Sequence, residues 1–128
     1  KNPVHSDVME EKLAERINHI DLAKKTDLFI VAPASANTIA KLAHGMADNM
    51  LTATALALPS TTPKLIAPAM NTKMYENPLT KKNLKILQEV GYQEILPKSG
   101  LLACGDTGRG ALADISVIIE SIDNALTK

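Results

Sequence analysis

The chain has 128 residues, 45% of them hydrophobic and 22% charged, which is enough to bury a core and too apolar for a disordered segment. Fourteen basic residues balance fourteen acidic ones, and with no Trp, one Phe and two Tyr there is neither a basic field nor an aromatic platform for nucleic acid. The lone Cys104 excludes an internal disulfide and a cysteine-based zinc site, and with no membrane-length apolar run and no signal-peptide pattern the cytoplasm is the expected compartment.

Residues 1–6 read as a loop, and Ser6 or Asp7 can cap a helix whose first turn carries Glu10 and Glu11. A second helix start is expected at His19. The apolar run Leu28–Ala32 predicts a first strand, which turns at Pro33-Ala34-Ser35-Ala36-Asn37-Thr38. Ile39, Ala40, Leu42, Ala43 and Met46 then recur at helical spacing; Gly45 weakens the run, and Asp48-Asn49 can restart it as far as Leu58. Pro59 and Pro63 stop it before a second strand, Lys64–Ala67, which leads into Pro68-Ala69-Met70-Asn71-Thr72-Lys73-Met74.

Asn77-Pro78 is a cap followed by proline in the first turn, a strong helix start. Leu79, Asn83, Leu84, Leu87 and Val90 are the expected buried face of that helix, which Gly91 ends. Glu94–Leu96 reads as a third short strand, residues 97–110 as a loop with four glycines, and a final helix is expected from about Ile115 to Leu126. Strands alternating with helices predict right-handed crossovers and a parallel sheet within one α/β domain spanning 1–128. The three strand-to-loop transitions, 33–38, 68–74 and 97–110, should then emerge on one edge, where open α/β sheets bind their ligands.

Several residues there can carry chemistry, and each has a plainer alternative. Cys104, in a glycine-rich stretch, is either a small buried hydrophobe or a thiol able to act as proton donor or nucleophile. His19 can titrate near neutrality, as can His5 and His44, and spacing does not choose among them. Asn71 can satisfy backbone groups after the second strand, or its amide can orient a carboxylate or a flavin edge, and Met70 and Met74 suit packing. Ser35 can be a simple helix cap, or its turn can present amides and hydroxyls to an anion or polar ring. The glycine spacing of Gly105-Asp106-Thr107-Gly108-Arg109-Gly110 does not match the dinucleotide-binding fingerprint.

Five segments in order, His19-Ile20-Asp21-Leu22-Ala23, Pro33–Thr38, Asp48-Asn49-Met50-Leu51, Pro68–Met74 and Ala103-Cys104-Gly105-Asp106, resemble the homo-oligomeric flavin-containing cysteine decarboxylases. The resemblance implies a Rossmann-like, flavodoxin-like three-layer fold, here expected to lack its N-terminal strand or strands, because the family's opening glycine- and serine-rich turn has no counterpart. It implies FMN as cofactor, held at Ser35, Ala36, Asn37, Thr38 and Ala69, and no metal. It implies His19 as acid or base, Asn71 as the holder of the substrate carboxylate, Cys104 as proton donor, and Met74 and Ala103 beside the substrate.

The implied reaction is decarboxylation of phosphopantothenoylcysteine in coenzyme A biosynthesis. The alternatives are decarboxylation of a peptide's C-terminal cysteine, or a non-catalytic flavin-binding regulatory role. The chemical logic is that a cysteine carboxylate lacks an electron sink; oxidation of its CH2–SH to a thioaldehyde, with the flavin as two-electron acceptor, places the carboxylate beta to C=S, so CO2 leaves an enethiolate. Return of the hydride from the flavin and a proton from an acid then complete the product, with no net redox. The resemblance further implies a homo-oligomer built from trimers, acting on a small molecule, with no nucleic-acid or membrane partner.

Overall fold

A short parallel sheet organises the chain. The computed structural model describes residues 22–101 and 107–127. The expected first helix, His5, His19 and the Ala103-Cys104 segment lie outside them. A helical turn over residues 22–25 leads into strand β1 (Phe29–Ala34), followed by helices α1 (Ala36–Ala43) and α2 (Met50–Ala57) and strand β2 (Lys64–Pro68). Helices α3 (Thr72–Glu76) and α4 (Pro78–Glu89), strand β3 (Tyr92–Glu94), the hairpin strands β4 (Lys98–Leu101) and β5 (Thr107–Ala111), and helix α5 (Ile115–Leu126) complete the order.

The sheet order is β1-β2-β3, all parallel, with Ile30 opposite Leu65 and Ile66 opposite Glu94. Every residue of the central β2 is buried, as its unbroken Leu65-Ile66-Ala67 run requires, whereas β1 is half exposed at the sheet edge. Alternate side chains of β2 serve two cores. Ile66 joins Val31, Ala34, Ile39, Tyr75, Leu84, Leu87 and Tyr92 beneath α1, α3 and α4. Leu65 and Ala67 join Ile95 and Ala113 on the other face, against which Ile118, Ile122 and Ala125 of α5 pack. These three layers are a flavodoxin-like arrangement, matching the expected fold class.

Local chemistry explains the breaks between helices. Gly45, with φ of +69°, ends α1: its N–H donates to Leu42 O at 3.4 Å, and Met46 N–H donates to Lys41 O at 3.0 Å. That bond pair is a Schellman closure, which favours glycine in the left-handed position. Asn49 then caps α2 through a reciprocal pair with Thr52: Thr52 N–H donates to Asn49 Oδ1 at 2.8 Å, and Asn49 N–H donates to Thr52 Oγ1 at 3.2 Å. Asn77 caps α4, its Oδ1 accepting the Leu79 N–H at 2.8 Å, with Pro78 in the first turn.

Three expectations need correction. The third strand is 92–94, not 94–96, so Glu94 closes it. The glycine-rich stretch contributes a two-stranded antiparallel hairpin, β4 with β5, where a loop was expected. On α4 the buried stripe is Thr80, Leu84 and Leu87, while Leu79 and Val90 are exposed. The apolar residues of α4 outnumber the sites its partners cover, so periodicity alone could not fix the helix's rotation.

Candidate active site

Two strand tips and one hairpin strand meet at the carboxyl edge of the sheet. Ala69 N–H donates to Ala34 O at 3.1 Å, tying the end of β2 to the end of β1. Met70 N–H donates to Gly110 O at 2.9 Å, tying the same turn to β5. Gly110 has φ of +153°, and a Cβ there would collide with the Met70 carbonyl oxygen and lie 3.3 Å from the Asn71 carbonyl carbon. Only glycine allows the hairpin backbone to approach this closely.

Each tip carries a capped helix. Ser35 is extended and its Oγ accepts the Thr38 N–H at 3.1 Å, while its own hydroxyl lies 3.2 Å from Thr38 Oγ1. Helical geometry gives the N–H groups of Ala36 and Asn37, ahead of that capped turn, no partner within the helix. Ser35 and Asn37 are exposed and Ala36 and Thr38 half-buried, so the turn presents amides and hydroxyls outward. Around it Ala32 and Pro33 are exposed and Ala36 and Ala69 half-buried, so these four positions contribute no bulky side chain. This donor set fits a flavin, whose ring edge and phosphate both accept hydrogen bonds.

Asn71 caps α3, its Oδ1 accepting the Met74 N–H at 2.9 Å. That bond occupies the amide oxygen and leaves the NH2 as a donor on an exposed residue. Met74 is also exposed, and Met70 packs partly into the first core. The fold therefore brings together Ser35, Ala36, Asn37, Thr38, Ala69, Asn71 and the Met74 helix, as their strand-end positions predict. His44 is elsewhere: it follows the C-terminal end of α1, with its Nε2 2.9 Å from Asn83 Oδ1, a bridge between helices. Arg109 donates through Nη1 to Pro97 O at 3.2 Å, closing the base of the hairpin.

Tyr75 is a site residue that the sequence does not reveal. Its ring is buried, its hydroxyl donates to Glu94 Oε2 at 2.8 Å, and the Lys81 ammonium stands 3.7 Å from its centroid. The available signal was a large amphipathic residue four positions after the capping Asn71, on a helix too short to show periodicity. No group of three or more potential metal ligands occurs among the described residues.

Comparison with known proteins gives the same neighbourhood. The family described as Flavoprotein matches residues 1–127. A probable phosphopantothenoylcysteine decarboxylase of Streptococcus mutans is 62% identical over 98% of this chain and 70% of its own length. The coenzyme A biosynthesis bifunctional protein CoaBC of Bacillus subtilis is 48% identical over 94% of this chain, which spans 29% of that protein. Among solved structures, a cysteine-to-serine mutant of PPC decarboxylase complexed with pantothenoylaminoethenethiol superposes with a TM-score of 0.83 at 42% identity, covering 86% of this chain and 60% of that one.

Proposed function

Because this chain belongs to the flavoprotein family, we propose that it is an FMN-dependent carboxy-lyase that decarboxylates phosphopantothenoylcysteine to phosphopantetheine in coenzyme A biosynthesis. The observation that carries the reading is the Asn71 turn: an amide with its oxygen committed to a cap and its NH2 free, held beside the Ser35 turn. The likeness to decarboxylases of this substrate supports it.

FMN, when bound, supplies the reversible two-electron acceptor that a cysteine carboxylate lacks as an electron sink. The Ala36 and Asn37 amides and the Ser35 and Thr38 hydroxyls would hold it, with Ala69 against it. Asn71 Nδ2 would donate to the substrate carboxylate. A neutral donor orients that group without the full positive charge that would stabilise the ground state over the transition state for CO2 loss. Met74 would give the substrate an apolar wall. His19 as acid or base, Ala103 beside the substrate and Cys104 as the donor of the last proton complete the assignment.

A cytoplasmic homo-oligomer built from trimers belongs to the same proposal. The exposed Leu51 and Leu56 on α2 support such an assembly, and light scattering of the FMN-loaded protein tests it.

The deciding experiment supplies the FMN-loaded full-length protein with phosphopantothenoylcysteine and follows product mass for wild type and Cys104→Ser. Wild type should release a product lighter than the substrate by CO2 alone, its hydrogen count unchanged; the Cys104→Ser variant should release one two hydrogens short of that, in an amount no greater than the bound FMN that accepts the two electrons. Turnover of a peptide ending in cysteine, with none of phosphopantothenoylcysteine, would move the enzyme to peptide maturation. No turnover of either, with FMN bound, would leave a flavin-binding regulatory protein.

A further inference from the structure

We propose that Tyr75, through its hydroxyl bond to Glu94, is a positioning residue that sets where Asn71 presents its amide; this rests on the carboxylate-binding reading of Asn71. Helix α3 has five residues, too few to be stable by its own hydrogen bonds. Its placement must therefore come from tertiary anchors, and Tyr75 is its only buried side chain.

The link from Tyr75 back to Asn71 is direct, because Tyr75 N–H donates to Asn71 O at 3.0 Å and closes the helical turn that Asn71 caps. The link forward is equally short. The Tyr75 hydroxyl meets Glu94 Oε2 at 2.8 Å, and Glu94 is the last residue of β3, in register with Ile66 of the central strand. Gln88 of α4 approaches the other carboxylate oxygen at 3.5 Å, and Lys81 of the same helix covers the ring. Asn71 thus lies between two fixed points, the Met70–Gly110 bond on one side and the Tyr75–Glu94 bond on the other.

A tyrosine whose only role was to fill the core would need its ring and not its hydroxyl. Tyr75→Phe separates the two, since it keeps the packing and removes the bond. The test measures KM for phosphopantothenoylcysteine and Kd for phosphopantetheine, which lacks the carboxylate, on FMN-loaded full-length wild type, Y75F, N71A and the double variant. Y75F should raise KM roughly 10-fold, the scale of one weakened hydrogen bond to a charged group, with the product Kd unchanged.

In the N71A background Y75F should change KM by less than about 2-fold, because a residue acting through Asn71 has nothing left to position. Glu94→Gln, which keeps an acceptor oxygen, should stay near wild type. Equal losses for substrate and product, or additivity with N71A, would overturn the positioning role while leaving the Asn71 reading standing. If N71A itself fails to separate substrate from product, the carboxylate reading falls and takes this inference with it. Should Y75F not fold, Glu94→Ala removes the same bond from the other partner and is judged by the same cycle.

Discussion

Tyr75 and Tyr92 are the chain's two tyrosines, both lie in the core beneath α4, and both hydroxyls are held protonated. Burial pushes Tyr92 up to about 12. Burial, and then the Glu94 carboxylate, pushes Tyr75 well above its ordinary value, with Arg109 opposing. The unfolded chain releases both protons near the usual tyrosine pKa of about 10, while the folded chain keeps them, so folding stability is complete below that pH and falls above it. Urea midpoints measured from about pH 9 to about pH 11 should therefore decline, and Tyr92→Phe, removing one of the two protons, should roughly halve the tyrosine part of that slope. A slope unaltered in Tyr92→Phe would mean that Tyr92 ionises as freely in the fold as outside it. Neither tyrosine was legible as a structural centre: the sequence shows that aromatics are scarce, but not which elements close over them. Ser35, Asn71 and Asn77 were legible, because a capping residue acts on its own neighbours two or three positions away.

At the scale of elements, structure set by near neighbours in the chain is legible in the sequence, and structure imposed from a distance is not. The split between α1 and α2 follows from Gly45 and from the Asn49 cap, and the start of α4 from Asn77-Pro78, all visible in a few residues. The β4–β5 hairpin was not visible, since Lys98-Ser99-Gly100-Leu101 and Thr107-Gly108-Arg109-Gly110-Ala111 have neither the alternation nor the β-branched content of strands. Part of what fixes this hairpin is outside it, in the contact of Gly110 with the Asn71 turn. That contact makes a sharp prediction. Gly110→Ala must move either β5 or the Met70 carbonyl, at a cost above the roughly 1 kcal/mol of an ordinary glycine-to-alanine strain, read as a lower urea midpoint. Alanine at Gly100, on the partner strand, serves as a control for general loss of hairpin freedom. Equal midpoints for the two variants would show that the close approach of Gly110 is not what seats the hairpin.

For the whole molecule, the sheet carries two cores, one on each face: Val31 of β1 and Ile66 of β2 belong to one, and Ile30 of β1 packs against Leu65 of β2 in the other. Ile39 on α1 and Ile66 on β2 belong to one face, and Ile95, just past β3, belongs to the other. Removing a methyl group from any of them by Ile→Val should cost about 1 kcal/mol. The combinations distinguish the faces. Ile39→Val with Ile95→Val touches no common partner, so the two losses should add to within about 0.5 kcal/mol. Ile39→Val with Ile66→Val opens space in one shared cluster, where relaxation around the first cavity changes the cost of the second, so their sum should miss the double variant by more than that margin. Additivity in the first pair and coupling in the second would establish that the sheet separates two independently packed layers. The consequence reaches the active site: of the two anchors of the Asn71 turn, the Tyr75–Glu94 bond lies on the α1–α4 side and the Met70–Gly110 bond leads toward the α5 side, so losses on the first face should disturb the Tyr75 anchor, and through it substrate binding, more than equal losses beneath α5. Measuring KM for the Ile39→Val and Ile95→Val single variants at matched stability checks this, and equal increases in the two would mean that the site senses only the global stability of the fold.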